Sequence, residues 1–195
     1  MTNNLESSSQ PSQNSGIDSS PIVPQPTSPK ALELIHQAGL QLGTKLSLRQ
    51  LSSDLLTFVY EFVTCEYIVL FTRDTDGINF RYQHYHPVKN DNMLAIKLKK
   101  VYFNSFNAED DTIVSQWLQN SPLQITRDNA KTSQVQSILD VTLAETLQSV
   151  PLIINNQLFG ILLFKLADKT SMPEDTLNTL NTLNPHLAMY LKSRF

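Results

Sequence analysis

The stretch VPLIINNQLFGILLF, residues 150–164, sets two apolar runs on either side of the pair Asn155-Asn156. A two-residue turn whose twist matches its strands needs positive φ at both central positions, and asparagine tolerates this best among residues with a Cβ. The spacing predicts a hairpin with Ile154 opposite Gln157, Leu152 opposite Phe159 and Pro151 opposite Gly160. Apolar residues occupy odd and even positions alike, so both faces of these strands must be covered by other parts of the chain. Pro151 has no N–H to give a ladder, which places it at a bulge or at the start of its strand.

Downstream, Ser171 or the acidic pair Glu174 and Asp175 opens a helix with Leu177, Leu180, Leu183, Leu187 and Leu191 in register. The pattern runs on through Pro185, which predicts a kink rather than a stop. Upstream, Arg127 to Thr146 reads as a loop followed by a modest helix carrying Val135, Ile138, Leu139 and Leu143, and PLQIT (122–126) as a short strand. TIVSQWLQN is a short helix capped by Asp110 or Asp111. Met93 to Phe103 reads as a strand with Ile96 and Leu98 on one face and Lys97 and Lys99 on the other. YIVLFTR and INFRYQHY, joined by the turn residues Asp74 to Gly77, form a further hairpin. Ahead of it come two helices. The first is capped by Ser28 with Pro29 at its first position and carries Leu32, Ile35, Ala38 and Leu42; the second is capped by Ser47 and carries Leu48, Leu51, Leu55, Phe58, Val59 and Phe62.

Residues 1–28 are Ser, Gln, Asn and Pro with few large apolar groups, which predicts a disordered tail before a single domain over 29–195. Ile22 and Val23 are the candidate for a short docking segment in it, with a mere linker as the favoured alternative. The net charge of −3 over the 195 residues offers no general attraction to a phosphate backbone, so a nucleic-acid partner is not expected. The basic and aromatic run KLKKVYF reads as a wet strand face. Cys65 is the single cysteine, which excludes an intrachain disulfide, a cysteine cluster and a two-cysteine redox cycle. The start lacks the charged and apolar regions of a secretory signal, and no run approaches the ~20 apolar residues of a membrane span. The expectation is a cytoplasmic protein without a membrane partner. The excess of asparagine, threonine and glutamine carries no functional reading.

SVPLIINNQLFGILLFKLAD (149–168) followed by Glu174-Asp175, NSPLQITRD (120–128) and LSSDLLTFVYEFVTCEYIVLFTRD (51–74) resemble the characteristic segments of the GAF domain family, and the order of elements from about Ala31 to Phe195 resembles it too. The resemblance implies an α+β fold, GAF/PAS-like: an antiparallel sheet of five or six strands, N- and C-terminal helices on one face, and a cavity under loops and short helices on the other. It also implies a regulatory module, since members bind cyclic nucleotides, bilins, haem or small metabolites, or simply dimerise.

Cyclic-nucleotide members carry an Asn-Lys, a Phe and an Asp-Glu pair where this chain has Asp168-Lys169, Met172 and Glu174-Asp175, so that ligand is possible without support from these residues. Cys65 falls where the second helix meets the first strand and reads as a structural thiol, so no bilin attachment cysteine is evident. The cofactor stays unknown. His84 and His86 share a strand face, with Tyr82 beside them on it, but no third metal ligand is near, and DTDG lacks the ligand pattern of a calcium loop. By order of elements the candidate ligand-binding residues are Tyr82, Phe103, Phe106 and Trp117 as walls, with Thr126 and Asp128, together with Arg127, as polar groups. The alternative for Trp117 is a core plug. No nucleophile, base and oxyanion donor fall together, so an enzyme is not expected. The expected role is a sensor that binds a small molecule or signals through a homodimer of its terminal helices, Ala31 to Leu42 and Glu174 to Phe195, with a protein partner carrying the output. The alternative is a ligand-free dimeric adaptor that recruits a partner through its tail.

Overall fold

The computed structural model describes residues 29–42, 47–75, 77, 79–87, 93–104, 112–119, 122–131, 133–167 and 171–194. The expected tail over 1–28 lies outside them, as do Ser28, Phe106, Asp110, Asp111, Asp168 and Lys169. The elements run α1 (Pro29–Leu42), α2 (Leu48–Tyr60), β1 (Tyr67–Arg73), β2 (Asn79–His86), α3 (Met93–Leu98), β3 (Tyr102–Asn104), α4 (Thr112–Leu118), β4 (Leu123–Thr126), α5 (Ser133–Thr142), β5 (Thr146–Ile154), β6 (Gln157–Lys165) and α6 (Glu174–Lys192). The strands form one antiparallel sheet in the order β3-β2-β1-β6-β5-β4.

The doubly apolar strands are covered on both faces. On the first face Ile68 and Leu70 of β1, Val150 and Leu152 of β5, and Leu162 and Phe164 of β6 pack with α1, α2 and α6. The intervening Val69 and Phe71, Leu147, Ile161 and Leu163 point the other way, into a second core closed by α3, α4 and α5. Each strand of the central trio thus divides its side chains between two dry compartments. Tyr190 of α6 reaches to within 3.0 Å of where a Cβ on Gly39 of α1 would sit, so the first and last helices lie in direct contact.

Local chemistry explains the ends of these elements. Ser47 forms the expected cap as a full capping box: its hydroxyl accepts from the Gln50 N–H, and the Gln50 side chain returns to the Ser47 N–H. Asn155 and Asn156 take φ of 49° and 61°, as the hairpin turn requires. Helix α6 starts at Glu174 with Pro173 as cap and no side-chain cap bond, so Ser171 has no capping role, and the helix runs through Pro185.

Three expectations are corrected. In the β5–β6 hairpin Ile154 does face Gln157, but Leu152 pairs with Gly160 and Pro151 with Ile161, because a register shift between Leu152 and Ile153 leaves Phe159 as an extra residue on β6. The bulge sends Phe159 to the first core and Leu158 to the second. Gly160 sits just past it and lets the β1 backbone approach: a Cβ there would lie 2.8 Å from the Phe71 carbonyl oxygen. Second, Met93 to Phe103 is not one strand. Met93–Leu98 is a helix of good helix formers that buries Leu98 and half-buries Leu94 and Ala95, a helical spacing, leaving Ile96 exposed; only Tyr102–Asn104 pairs as strand β3. Third, Gln83 is an extra residue opposite β1 between Leu70 and Phe71. It sets Tyr82, the partner of Phe71, on the face opposite His84, the partner of Leu70.

Candidate functional site

The second face is where a cavity was expected. Helix α4 turns Ile113, Val114 and Trp117 to one side at helical spacing, and all three are buried. The Trp117 indole is fully buried, and its Nε1–H donates to Ser149 Oγ at 2.8 Å. The Ser149 hydroxyl in turn donates to the Leu123 carbonyl at 2.8 Å. One satisfied chain of bonds therefore ties α4 to β5 and β4, as a buried indole requires. Tyr67 closes a second link by donating to the Thr142 carbonyl at the end of α5, 2.9 Å away.

Tyr82 is half-buried against the same core, edge-on to Phe71 with ring centroids 6.4 Å apart. Burial pushes its hydroxyl up to about 12; Tyr85 adds to the rise and Arg49 opposes it. Phe103 is placed by its backbone opposite Phe80, and Phe106 lies outside the described residues. Thr126 ends β4, where its N–H donates to Asn129 Oδ1 at 2.8 Å and its hydroxyl accepts from the Asn129 N–H. Arg127 is bound to Asp140 at 2.9 Å, both largely exposed, and Asp128 is exposed in the turn. Of the six candidates, the structure thus brings Trp117 and Tyr82 to one core and sets Thr126 at the end of β4 and Asp128 in the turn after it.

His84 and His86 share the first face, against α2. His86 Nδ1 is 3.3 Å from Thr57 Oγ1, and its ring lies edge-on to Tyr60 at 4.9 Å. His84 Nε2 is buried without a hydrogen-bond partner. Both imidazoles titrate below the ordinary histidine value, chiefly through burial; for His84 the positive Arg49 and then His86 add to the shift. Burial also raises the Cys65 thiol to about 12, so it is no nucleophile at neutral pH. Among the described residues no group of three or more His, Cys, Asp or Glu is placed to hold a metal, and no helix is long and apolar enough to cross a membrane.

A feature the sequence reading missed lies on the first face. Strand β4 pairs with residues 146–149 of β5, and among the described residues no strand pairs with the outer edge of β5 beyond that point. Asn184 of α6 takes its place: its amide donates to the Pro151 carbonyl, and its Oδ1 accepts from the Ile153 N–H at 2.9 Å. One carboxamide thus stands in for a neighbouring strand. This also accounts for Pro151 inside a strand, because a residue's N–H and C=O point to the same edge, here the edge that β4 leaves empty. Between α6 and the Asn155-Asn156 turn a cleft of about 440 Å³ opens. Its apolar wall is Ile153, Ile154, Pro185 and Met189. The remaining lining residues are four asparagines, Asn155, Asn156, Asn181 and Asn184. Pro185 lacks the N–H that would bond the Asn181 carbonyl within the helix. The signal in the sequence was a proline inside an apolar strand and an Asn-Pro inside a leucine-patterned helix.

The fold and its two covered faces define an architecture found in solved structures. The chain is similar to a GAF domain of a phosphoenolpyruvate-protein phosphotransferase from Coxiella burnetii, at 15% identity and a TM-score of 0.62 over 84% of this chain and 93% of that one. The corresponding domain from Acinetobacter superposes with a TM-score of 0.60 at 10% identity, covering 85% and 95%. The phycocyanobilin-bound GAF domain of a cyanobacterial phytochrome does so with a TM-score of 0.60 at 12% identity, covering 86% and 96%. No protein-family model matches the sequence, and no curated protein matches it. The chain has the GAF fold, as the segments around the Asn-Asn hairpin suggested.

Proposed function

We propose that this protein is a non-catalytic, cytoplasmic regulatory module of GAF fold that acts through contacts between protein chains, by dimerising along its terminal helices and presenting itself to a partner that carries the output. The observation that carries this reading is the outer stripe of α1. Leu32, His36 and Leu40 recur every four residues on its exposed face, with Leu32 56% and Leu40 67% exposed, while Ala31 and Ala38 are buried. A helix that keeps two leucines in water beside a filled core is suited to a second helix. Covering them contributes about 1 to 2 kcal/mol per leucine. Four leucines in a twofold dimer contribute about 4 to 8 kcal/mol against an association cost of order 4 to 15 kcal/mol, so the stripe marks the seam and further contacts along the terminal helices supply the rest of a weak, reversible association.

The fully buried Trp117, already satisfied by Ser149, supports the reading in which this indole serves as core rather than as the wall of a ligand site. The fold also supports a second reading, since one solved relative of similar architecture holds a bilin. Native mass spectrometry of the full chain separates the two, because it reports retained ligand and stoichiometry together. The expected spectrum contains a ligand-free dimer at high micromolar concentration, and Leu32→Glu with Leu40→Glu leaves only monomer. A monomer at all concentrations refutes the dimer, and a monomer carrying a fixed added mass supports the sensor.

A further inference from the structure

We infer that the outer side of α3 and the turn after it, Met93 and Ile96 with Lys97, Lys99 and Lys100, is a docking site for an anionic lipid surface. This goes beyond the proposed dimer, and either can hold without the other.

A strand would split this stretch, with Ile96 and Leu98 on one face and Lys97 and Lys99 on the other. The helix gathers it instead. Leu98 is fully buried in the second core, with Leu94 and Ala95 half-buried beside it, while Met93 and Ile96 stay 53% and 50% exposed. Helical bonding carries on past Leu98: the Lys99 N–H donates to the Ala95 carbonyl and the Lys100 N–H to the Lys97 carbonyl. At about 100° per residue, Lys97 falls roughly 70° to one side of the midline between Met93 and Ile96, Lys99 roughly 90° to the other side, and Lys100 close to the midline. The result is a ridge with two apolar side chains at its crest and three exposed lysines around them. Because Leu98 anchors the opposite side of the same two turns, the crest cannot roll inward and stays in water in the free protein.

The elements around the ridge leave its charge uncompensated. Helix α3 packs against α5 and β2. Strand β2 carries no acid, and the single acid of α5, Asp140, is held by Arg127 at 2.9 Å. None of the ion pairs among the described residues involves Lys97, Lys99 or Lys100. The net charge of −3 belongs to the whole chain, and at physiological salt it is screened beyond about 8 to 10 Å, so it does not cancel a local cluster.

The side chains favour lipid over other polyanions. Interfaces between proteins are enriched in Arg and depleted in Lys, and all three cations here are lysines. A nucleic-acid backbone would meet the lysines but set Met93 and Ile96 against phosphates. At a bilayer surface each group finds its level: the apolar crest enters the headgroup boundary, and the long lysine stems lie along it with their ammonium groups among the phosphates. Two apolar groups and three charges make the contact weak, reversible and dependent on salt.

The test is flotation of the full-length protein with vesicles of phosphatidylcholine alone and of an equimolar mixture with phosphatidylserine. The protein is expected to float with the mixed vesicles at low ionic strength and to be released at about 1 M salt, where the Debye length falls to about 3 Å. Each lysine near an anionic surface strengthens binding roughly fivefold, so Lys97→Gln with Lys100→Gln is expected to weaken it about 25-fold. Lys131→Gln with Lys192→Gln removes the same charge from exposed positions elsewhere and is expected to leave binding unchanged. Met93→Gln with Ile96→Gln keeps the charge and is expected to weaken binding several-fold. No flotation with the mixed vesicles, equal flotation with the neutral ones, or an equal loss in the two lysine pairs overturns the proposal. A Met93→Gln, Ile96→Gln variant that floats like the wild type reduces the contact to plain charge attraction and overturns it as well.

Discussion

Replacing Asn184 with alanine removes the side chain that bridges α6 to the outer edge of β5. The Pro151 carbonyl and the Ile153 N–H lose their partners together. Each hydrogen bond contributes about 1 kcal/mol, with up to a few more where the orphaned group stays dry. Ile153 borders the open cleft, so water reaches its side of the site, and a net loss of about 2 kcal/mol is expected for Asn184→Ala. For a chain of this size that lowers Tm by roughly 4 to 8 °C in thermal unfolding followed by circular dichroism. Asn184→Asp has nearly the same shape but a different donor inventory. Its ionised carboxylate still accepts from Ile153, cannot donate to Pro151, and sits where only 4% of the residue is exposed, so at neutral pH it costs more than the alanine. Protonated, the introduced carboxyl regains one donor and one acceptor. Its folded pKa is therefore raised above the ordinary carboxyl value of about 3.9. The stability it contributes is fully present below that value and is lost as pH rises through the folded pKa. The order of stability at neutral pH is thus wild type, Asn184→Ala, Asn184→Asp, with the aspartate variant recovering relative to the alanine variant on acidification. A Tm for Asn184→Ala within about 1 °C of wild type, or an Asn184→Asp variant equal to wild type at pH 7, refutes the strand-substitute role.

Three further outcomes are expected. Gly160→Ala drives a Cβ to 2.8 Å from the Phe71 carbonyl in the middle of the sheet, so β1 and β6 must separate, at a cost of about 2 to 3 kcal/mol by chemical denaturation. Leu143→Gly stabilises: Leu143 follows α5 at φ 51° and is 80% exposed, with the N–H of Ala144 bonded to Leu139 O and its own N–H to Asp140 O, the closing motif that favours glycine. Relief of about 1 to 2 kcal/mol of left-handed strain outweighs about 0.5 to 1 kcal/mol of added unfolded-state freedom, so Tm rises by a few degrees. Finally, the depressed pKa of His84 makes stability full above the ordinary histidine value of about 6.5 and lost as pH falls through the folded value, because the unfolded chain takes up the proton first. The Tm of wild type relative to that of His84→Leu should therefore fall from pH 7 toward pH 5.5, whichever is higher at pH 7; a difference independent of pH refutes it.

The two-faced sheet could be read from residues 150–164 alone, because a strand with apolar groups on both sides admits no other environment in water. The Asn-Asn turn, the Ser47 capping box and the leucine stripe of α6 were equally local, each set by residues within a few positions of one another. Helix α3 was misread because six residues hold fewer than two turns, too few for alternation and helical spacing to separate before the partner surface is known. The site suffered most. Trp117 was singled out by its bulk, yet its role depends on Ser149, 32 residues away, a partner that no local pattern announces. Asn184 carries no signal of its own within a leucine-patterned helix; the fold brings it to a proline 33 residues earlier. Local chemistry thus settled, Met93 to Phe103 apart, which segments become helix, strand or turn and how many faces each must bury. Only the assembled sheet decided register at the bulge, which face each histidine takes and where the cleft opens. Those depend on how closely distant backbones can approach and on which distant group satisfies a buried N–H or C=O.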